Sequence, residues 1–206
     1  EVAGEDVQLL AQHGELLDTL LTESVTALMA EGLVTFEEVI ADGTKVQAAA
    51  GKGSYGGASR MARIGRIAAE RMAQLEAEVD ADPAASSRRR KASQLRAARE
   101  LGERAAKATA ALAELQKEKE KRRKTHRSEE EGKGEPKASL TDPAARYMRF
   151  ADGSIKPGYN MQIAACGNGL VLAVMATDRR NDTGLARPMV DDIFSRYGCR
   201  PGRLLV

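Results

Sequence analysis

The sequence has few aromatic residues, few cysteines and few histidines. Only 3% of its 206 residues are aromatic, and tryptophan is absent. This composition argues against a base-stacking surface of the kind that single-strand-binding proteins use. The two cysteines, Cys166 and Cys199, have no metal-like spacing and form no disulfide framework, which suits a reducing compartment. With His13 and His126 as the only histidines, a histidine-rich zinc site is not expected.

Long apolar runs and an excess of one charge are also missing. No apolar run approaches the roughly 20 residues that span a bilayer, and no signal peptide is visible. The 32 basic and 30 acidic residues nearly cancel, so the distribution of charge matters more than its sum. The chain begins at Glu1 and ends at Val206 inside an apolar run, and we expect it to be a fragment.

The N-terminal part changes from a helical to a strand-like pattern. Apolar residues at helical spacing predict a helix over residues 5–31, with His13 packed on its apolar side and Gly32 as its stop. Residues 33–41 then suit a strand, and Asp42 and Gly43 follow it. An Asp-Gly pair after a strand is typical of a tight hairpin turn, which is the simplest interpretation.

The middle of the chain has the pattern of two helices. Between residues 58 and 124, apolar residues alternate steps of three and four, which predicts a seam between packed helices. The seam positions are Met61, Ile64, Ala68, Met72, Leu75 and Val79, then Leu95, Ala98, Gly102, Ala105, Leu112 and Leu115. The break around Pro83 predicts an antiparallel helical hairpin with close helix packing. The charged stretch that follows predicts a frayed helix end and a linker.

The C-terminal part again has a globular pattern. The predicted elements are a turn at Asp152-Gly153, antiparallel strands over 159–166 and 170–178, a helix over 182–198 that ends at Gly198, and a final buried strand. The order of strand, insertion, strand, strand, helix and strand predicts a mixed α/β sheet. Ligands of open α/β sheets gather beyond the strand ends, where Asp42 is expected.

A carboxylate at such an edge suggests a cation site. Two acids close together stay ionised only with a cation between them, and oxygen ligands select Mg²⁺ or Mn²⁺. A pair of such ions supports phosphodiester cleavage. From the residues alone, a hairpin turn remains the more economical interpretation of Asp42.

Three ordered motifs carry a family resemblance. The segments "IADGTKVQAAAG", "SLTDPAARYMRFADGSIKPGYNMQ" and "NDTGLARPMVDDI" resemble the DDE transposases of bacterial insertion sequences. The match is closest to the subgroup with a long helical insertion after the first catalytic strand. The resemblance implies an RNase H-like fold and Mg²⁺-dependent cutting and joining of DNA strands. It also implies that Asp42 is the first catalytic, metal-binding acid.

The resemblance implies an incomplete α/β core, an RNase H-like mixed sheet. The predicted parts are an N-terminal helical segment (1–32), the first part of the core (33–57), the helical hairpin with its charged linker (58–137) and the second, truncated part of the core (138–206). In the family a second Asp directly follows the last strand and a Glu lies further on, so the two-metal site would be completed only in a longer protein. Cys166 stands where the family often has Asp.

The resemblance also implies DNA ends and target DNA as partners. A homo-oligomer and a cytoplasmic, nucleoid-associated bacterial location are expected, with no membrane and no small-molecule substrate. The candidate DNA contacts are Lys45, Arg88, Arg89, Arg90, Arg122 and Arg123. For the arginine-rich stretches, a solvated helix face is an equal alternative, since acidic residues lie beside them.

The other polar residues have structural interpretations. Asp142 is expected to be the N-cap of a short helix with Pro143 at its first position, and Asp152 is expected to lie in a turn. Asp178 and Asp182 end a strand and begin a helix, so a capping role is expected for them. Tyr159 and Asn160 point to opposite faces of a strand, and Tyr159, Asn160 and Gln162 are expected to fix that segment by side-chain hydrogen bonds. A contact with DNA is the alternative interpretation of these residues.

Two other functions are open. The chain is alternatively a non-catalytic DNA-binding or interaction remnant that acts through its helical hairpin. A third interpretation is a metal-dependent nuclease that cuts DNA without joining it.

Overall fold

The structure is a computed structural model that describes residues 13–81, 88–125 and 134–206. These residues divide into two compact units. The sheet unit contains the described residues up to Val46 together with Met148–Ser154 and Tyr159–Val206. The hairpin unit contains the described residues of Gln47–Tyr147 and Ile155–Gly158.

The described residues form four α helices and seven strands. The helices are α1 (Gly14–Ala30), α2 (Ala58–Ala81), α3 (Arg88–Thr125) and α4 (Ala186–Tyr197), and a short 3₁₀ helix covers Lys52–Ser54. The strands are β1 (Glu38–Gln47), β2 (Tyr55–Gly56), β3 (Ala138–Ser139), β4 (Arg146–Arg149), β5 (Ile155–Cys166), β6 (Val171–Thr177) and β7 (Arg203–Leu205). Among these helices, none is long and apolar enough to cross a membrane.

The main sheet is mixed. Its order is β4-β5-β1-β7, and β6 also pairs with β5. Strands β5 and β6 are antiparallel, whereas β1 and β7 are parallel and pair Ile40 with Leu205. Gly43 lies beside Asn160 and Gln162, while the amide of Ala48 donates to Pro157, so β1 and β5 run in opposite directions. The mixed α/β class is therefore as predicted.

One face of the main sheet carries the core of the sheet unit. Strand alternation turns Val39 and Ala41 of β1 to this face, where α4 contributes Met189 and Ile193 and α1 contributes Val25. The opposite face, which we call the open face, presents Ile40, Ile163, Val174 and Leu205 with 38–46% of their surface exposed. Within the described residues, both faces of the sheet therefore carry apolar side chains, but only one face is buried.

The hairpin unit is built on the packing of α2 against α3. Met61 packs with Leu112, and Arg71 donates to Gln94, so the helices run antiparallel as predicted. Every predicted seam residue is buried or half-buried. A Cβ placed on Gly102 would lie 3.7 Å from that of Ala68, an ordinary van der Waals contact. The small seam residues therefore bring the two backbones close together.

The predicted bounds of the first strand are wrong. The strand begins at Glu38 rather than residue 33 and runs through Asp42-Gly43 to Gln47. A two-residue hairpin of the Asp-Gly type needs positive φ, and Gly43 has none, whereas Gly153 has φ of 77°. The hairpin interpretation therefore fails for the first Asp-Gly pair and is confirmed for the second.

Two further predictions need correction. His13 is exposed before α1 instead of packed, because the helix begins at Gly14 with its apolar side only partly covered. The sequence predicts a buried final strand, but Arg203 and Leu205 are exposed and Leu204 is half-buried. The strand is more exposed than predicted because the open face of the sheet leaves one side of β7 uncovered. Residues 5–12 of the predicted first helix and His126 lie outside the described residues.

Candidate functional site

The predicted catalytic acid lies within β1. Asp42 is exposed, and its Oδ1 accepts a hydrogen bond of 2.7 Å from the backbone amide of Gly43. Because alternate residues of a strand share a face, Asp42 lies on the same face as Ile40, the open face. Asp42 is therefore a solvent-facing carboxylate on an interior strand of the sheet, not a residue beyond the strand end as predicted.

The neighbouring residue, Gly43, lies against a polar cluster on the other face. A Cβ placed on Gly43 would overlap Nε2 of Gln162 and would be 2.5 Å from Oδ1 of Asp182 and 3.1 Å from Oδ1 of Asn160. These distances leave no room for any side chain. Glycine is therefore required here by close approach, not by its backbone conformation.

The polar cluster converges on one carboxylate oxygen. Oδ1 of Asp182 accepts hydrogen bonds from Nδ2 of Asn160 at 2.7 Å and from Nε2 of Gln162 at 2.6 Å. Nζ of Lys45 lies 3.6 Å from the same oxygen. We call Asp182, Asn160 and Gln162 the Asp182 latch. Asn160 and Gln162 are buried, at 0% and 5% exposure.

These contacts favour the ionised form of Asp182. The hydrogen bond from Asn160 is the largest cause that lowers the pKa of Asp182, and Gln162 and Lys45 add to it against the opposing effect of partial burial. The latch is therefore charged at neutral pH.

The predicted capping role of Asp182 is wrong. Helix α4 begins at Ala186, its N-cap position is Leu185, and no side chain caps it. Asp178 lies still further from the helix. Asp182 instead accepts hydrogen bonds from β5, because the side-chain amides of Asn160 and Gln162 on that strand are buried and need an acceptor.

Of the other structural roles predicted for polar residues, some are confirmed and one is wrong. Asn160 and Gln162 fix their segment by side-chain hydrogen bonds, as predicted. Asp152 lies in a turn, where it accepts from the amide of Ser154, as predicted. The predicted helix cap at Asp142 is wrong, since this segment forms a turn closed by the amide of Ala145, and Ser139 Oγ accepts from the Asp142 amide. Cys166 is buried and contacts Asn168.

The candidate DNA contacts belong to different elements. Lys45 shares the face of Gly43, not that of Asp42, and its side chain is only 16% exposed. Arg88, Arg89 and Arg90 are exposed at the start of α3. Arg122 and Arg123 belong to the end of α3, and their side chains lie outside the described part of the chain. The role of all six residues in DNA binding stays a prediction.

A complete metal site is not present among the described residues. Over residues 13–81, 88–125 and 134–206, no group of three or more His, Cys, Asp or Glu side chains could hold a metal ion. Asp42 can supply one oxygen ligand of the kind that Mg²⁺ prefers. The remaining ligands would have to come from elsewhere.

Comparison with known proteins adds no identification. No family model, no curated protein and no solved structure matches the chain.

Proposed function

We propose that the chain is part of the catalytic core of a DDE-type DNA transposase, which cuts and joins DNA strands with Mg²⁺ or Mn²⁺. One observation carries the proposal. Asp42, the acid that the family motif singles out, stands exposed on an interior strand with one oxygen oriented by the Gly43 amide. The turn residue Asp152 is also exposed and also accepts from a backbone amide, so the position on an interior strand is what distinguishes Asp42.

The order of the strands supports the same proposal. Counted without β2 and β3, the main sheet has the predicted order of strand, insertion, strand, strand, helix and strand, with one additional strand, β4, directly after the insertion. The last strand, β7, pairs in parallel with the first strand, β1, which holds Asp42. This is the arrangement of a mixed α/β core with a helical insertion.

The register of β1 and β7 also favours the assignment. Val39 pairs with Leu204 and Ile40 with Leu205, so Asp42 is in register with the position that follows Val206. In any longer form of the protein, a carboxylate at that position would lie on the open face beside Asp42. Neighbouring strands are about 4.8 Å apart, which is close enough for two acids to share a cation.

Metal chemistry would then follow the usual pattern of two-ion sites. A bound pair of divalent ions supplies an activated water and stabilises the leaving oxygen of a phosphodiester. Asp42 would hold one oxygen ligand position, and the Gly43 amide would orient its carboxylate.

The test is Asp42→Asn in the longest form of the protein that its gene encodes. Cleavage of plasmid DNA that carries the flanks of the gene is measured with Mg²⁺, with Mn²⁺ and with a chelator. We expect cleavage to fall at least about a hundredfold, the scale of losing a positioned catalytic group, while gel-shift affinity for DNA is unchanged. Retained cleavage would refute the assignment.

The matched control is Asp152→Asn. Asp152 also belongs to an Asp-Gly pair, but it lies in a turn and accepts from the Ser154 amide. The same chemical change there should leave cleavage unaltered. Equal losses from both variants would mean that cleavage depends on folding in general and not on Asp42.

A second candidate function is DNA binding through the hairpin unit without catalysis. Its support is the run of three exposed arginines, Arg88 to Arg90, where α3 begins. Replacing all three by Ala should reduce the slope of log affinity against log salt by up to about 2.7, since each phosphate that an arginine neutralises adds about 0.9 to the slope. The control is Arg187→Ala on α4, which is 92% exposed and should leave the slope unchanged.

A further inference from the structure

The Asp182 latch connects three segments that are distant in sequence. Asn160 and Gln162 lie on β5, and Asp182 lies in the loop between β6 and α4. Both amide donors are buried and both reach the same carboxylate oxygen. Because buried amides without an acceptor are costly, these two hydrogen bonds help to hold the loop against the sheet.

The third segment is the backbone of β1 at Gly43. All three latch side chains lie within 3.1 Å of the point where a Cβ of Gly43 would stand. The latch therefore packs directly on one side of this peptide. On the other side, the amide of the same residue donates to Oδ1 of Asp42. The peptide at Gly43 is thus the link between a buried polar cluster and an exposed carboxylate.

We propose that the Asp182 latch is a positioning device for Asp42. By packing against Gly43, the latch fixes the position of the backbone amide that donates to the Asp42 carboxylate. Asp182 touches no reacting group and acts through this peptide. The catalytic meaning of the device rests on the proposed function of Asp42, whereas the effect of the latch on the Gly43–Asp42 hydrogen bond does not.

The test compares Asp182→Ala with the wild-type chain by NMR. The readout is the scalar coupling across the hydrogen bond from the Gly43 amide nitrogen to the Asp42 carboxylate carbon. Amide hydrogen exchange of Gly43 is measured in the same samples. We expect the variant to lose the coupling and to exchange at least about tenfold faster at Gly43, as an unsatisfied buried donor pair would cause. A retained coupling with unchanged exchange would overturn the proposal.

Two further variants make the result specific. Asp182→Asn keeps a side-chain oxygen for the two amides, so we expect it to restore most of the coupling. Asp191→Ala removes an equally half-exposed carboxylate, with Arg187 and Arg200 as its partners, and should change neither readout. An equal loss of coupling in Asp191→Ala would overturn the proposal, because the effect would then be general destabilisation.

Gln162→Met keeps the test decisive if Asp182→Ala does not fold. The substitution removes one latch donor, preserves the bulk of the side chain and leaves Asn160 bonded to Asp182. A weakened coupling across the Gly43–Asp42 hydrogen bond supports the positioning role, and an unchanged coupling overturns it.

Activity separates this proposal from the proposed function. In the longest encoded form, Asp182→Ala should lower kcat for DNA cleavage and leave KM for DNA unchanged. If Asp42→Asn retains cleavage but Asp182→Ala loses the coupling, the function is wrong and the latch stands. If Asp42→Asn abolishes cleavage and the coupling survives in Asp182→Ala, the function stands and the latch proposal is wrong.

Discussion

Each of the two units is stabilised internally by a different kind of contact. In the hairpin unit, a seam of apolar and small residues buries itself between two antiparallel helices. In the sheet unit, the same face of the sheet that buries the apolar core also buries Asn160 and Gln162 against Asp182. A seam of regular spacing makes a scaffold, whereas the latch needs polar side chains from separate segments to meet at one point. The unit with the less regular pattern is the one that orients the candidate catalytic acid.

The largest change in stability is expected from a substitution that disrupts the seam between α2 and α3. Leu75 is fully buried on α2, and Leu75→Ala should lower the free energy of unfolding by about 2–5 kcal/mol, through lost transfer energy and the cavity left behind. Urea denaturation followed by the helical circular dichroism signal measures it. Ile67→Ala on the same helix is the control, since Ile67 is 48% exposed, and a loss as large as that of Leu75→Ala would contradict the seam.

The next largest change in stability is expected from a substitution that disrupts the Asp182 latch. Gly43→Ala would bring a methyl group within 2.5 Å of two latch atoms, so the latch must move. The expected loss is about 1–3 kcal/mol, the usual cost of overpacking. Urea denaturation measures the loss, and an unchanged midpoint would show that the latch yields without cost.

The seam could be predicted from sequence because its spacing is local. Each seam position follows from the residues three and four places away, and no distant segment is needed to recognise it. The same holds for the Asp152-Gly153 turn, where positive φ at the glycine is a local property.

The candidate site could be predicted only in part. The family motif singles out Asp42, but local pattern places the strand around it too early, because its extent is set by pairing with β5, more than a hundred residues later. Local rules also favour Asp before a helix, and they therefore give Asp182 the wrong role of a helix cap. A useful signal was present: two amide side chains, Asn160 and Gln162, alternate on a strand whose neighbouring positions, Ala164 and Cys166, are apolar, so both need a buried partner.

A smaller change in stability, of opposite sign, is expected when the glycine-to-alanine substitution is made in the hairpin unit. Gly102→Ala in the seam adds a methyl group at an ordinary contact distance of 3.7 Å from Ala68. Alanine also has a higher helix propensity than glycine by about 1 kcal/mol, so the variant should be more stable by about 0.5–1 kcal/mol, measured by urea denaturation. The same substitution therefore stabilises the hairpin unit and destabilises the sheet unit at Gly43. A loss of stability in Gly102→Ala would show that the helices are closer than this distance indicates.

The smallest expected effect is the pH dependence of the latch. The hydrogen bond from Asn160, helped by Gln162 and Lys45, lowers the pKa of Asp182 below its unfolded value of about 3.9. The stabilisation is therefore present above that unfolded value and is lost as the pH falls through the folded value. The effect is small because the Asp182 side chain is 58% exposed, and solvent screens its ion pair with Lys45.

Asp182→Asn removes this titration and so isolates it. In urea denaturation, the difference in unfolding free energy between the wild-type chain and Asp182→Asn should be constant above about pH 5 and should shrink below about pH 4. Asp191→Asn is the matched control, because it makes the same acid-to-amide change at a carboxylate that faces the exposed Arg187 and Arg200 instead of two buried amides. A difference for Asp182→Asn that stays constant down to about pH 3 would contradict the lowered pKa, and would mean that the two amides hold the loop equally well when the acceptor is uncharged.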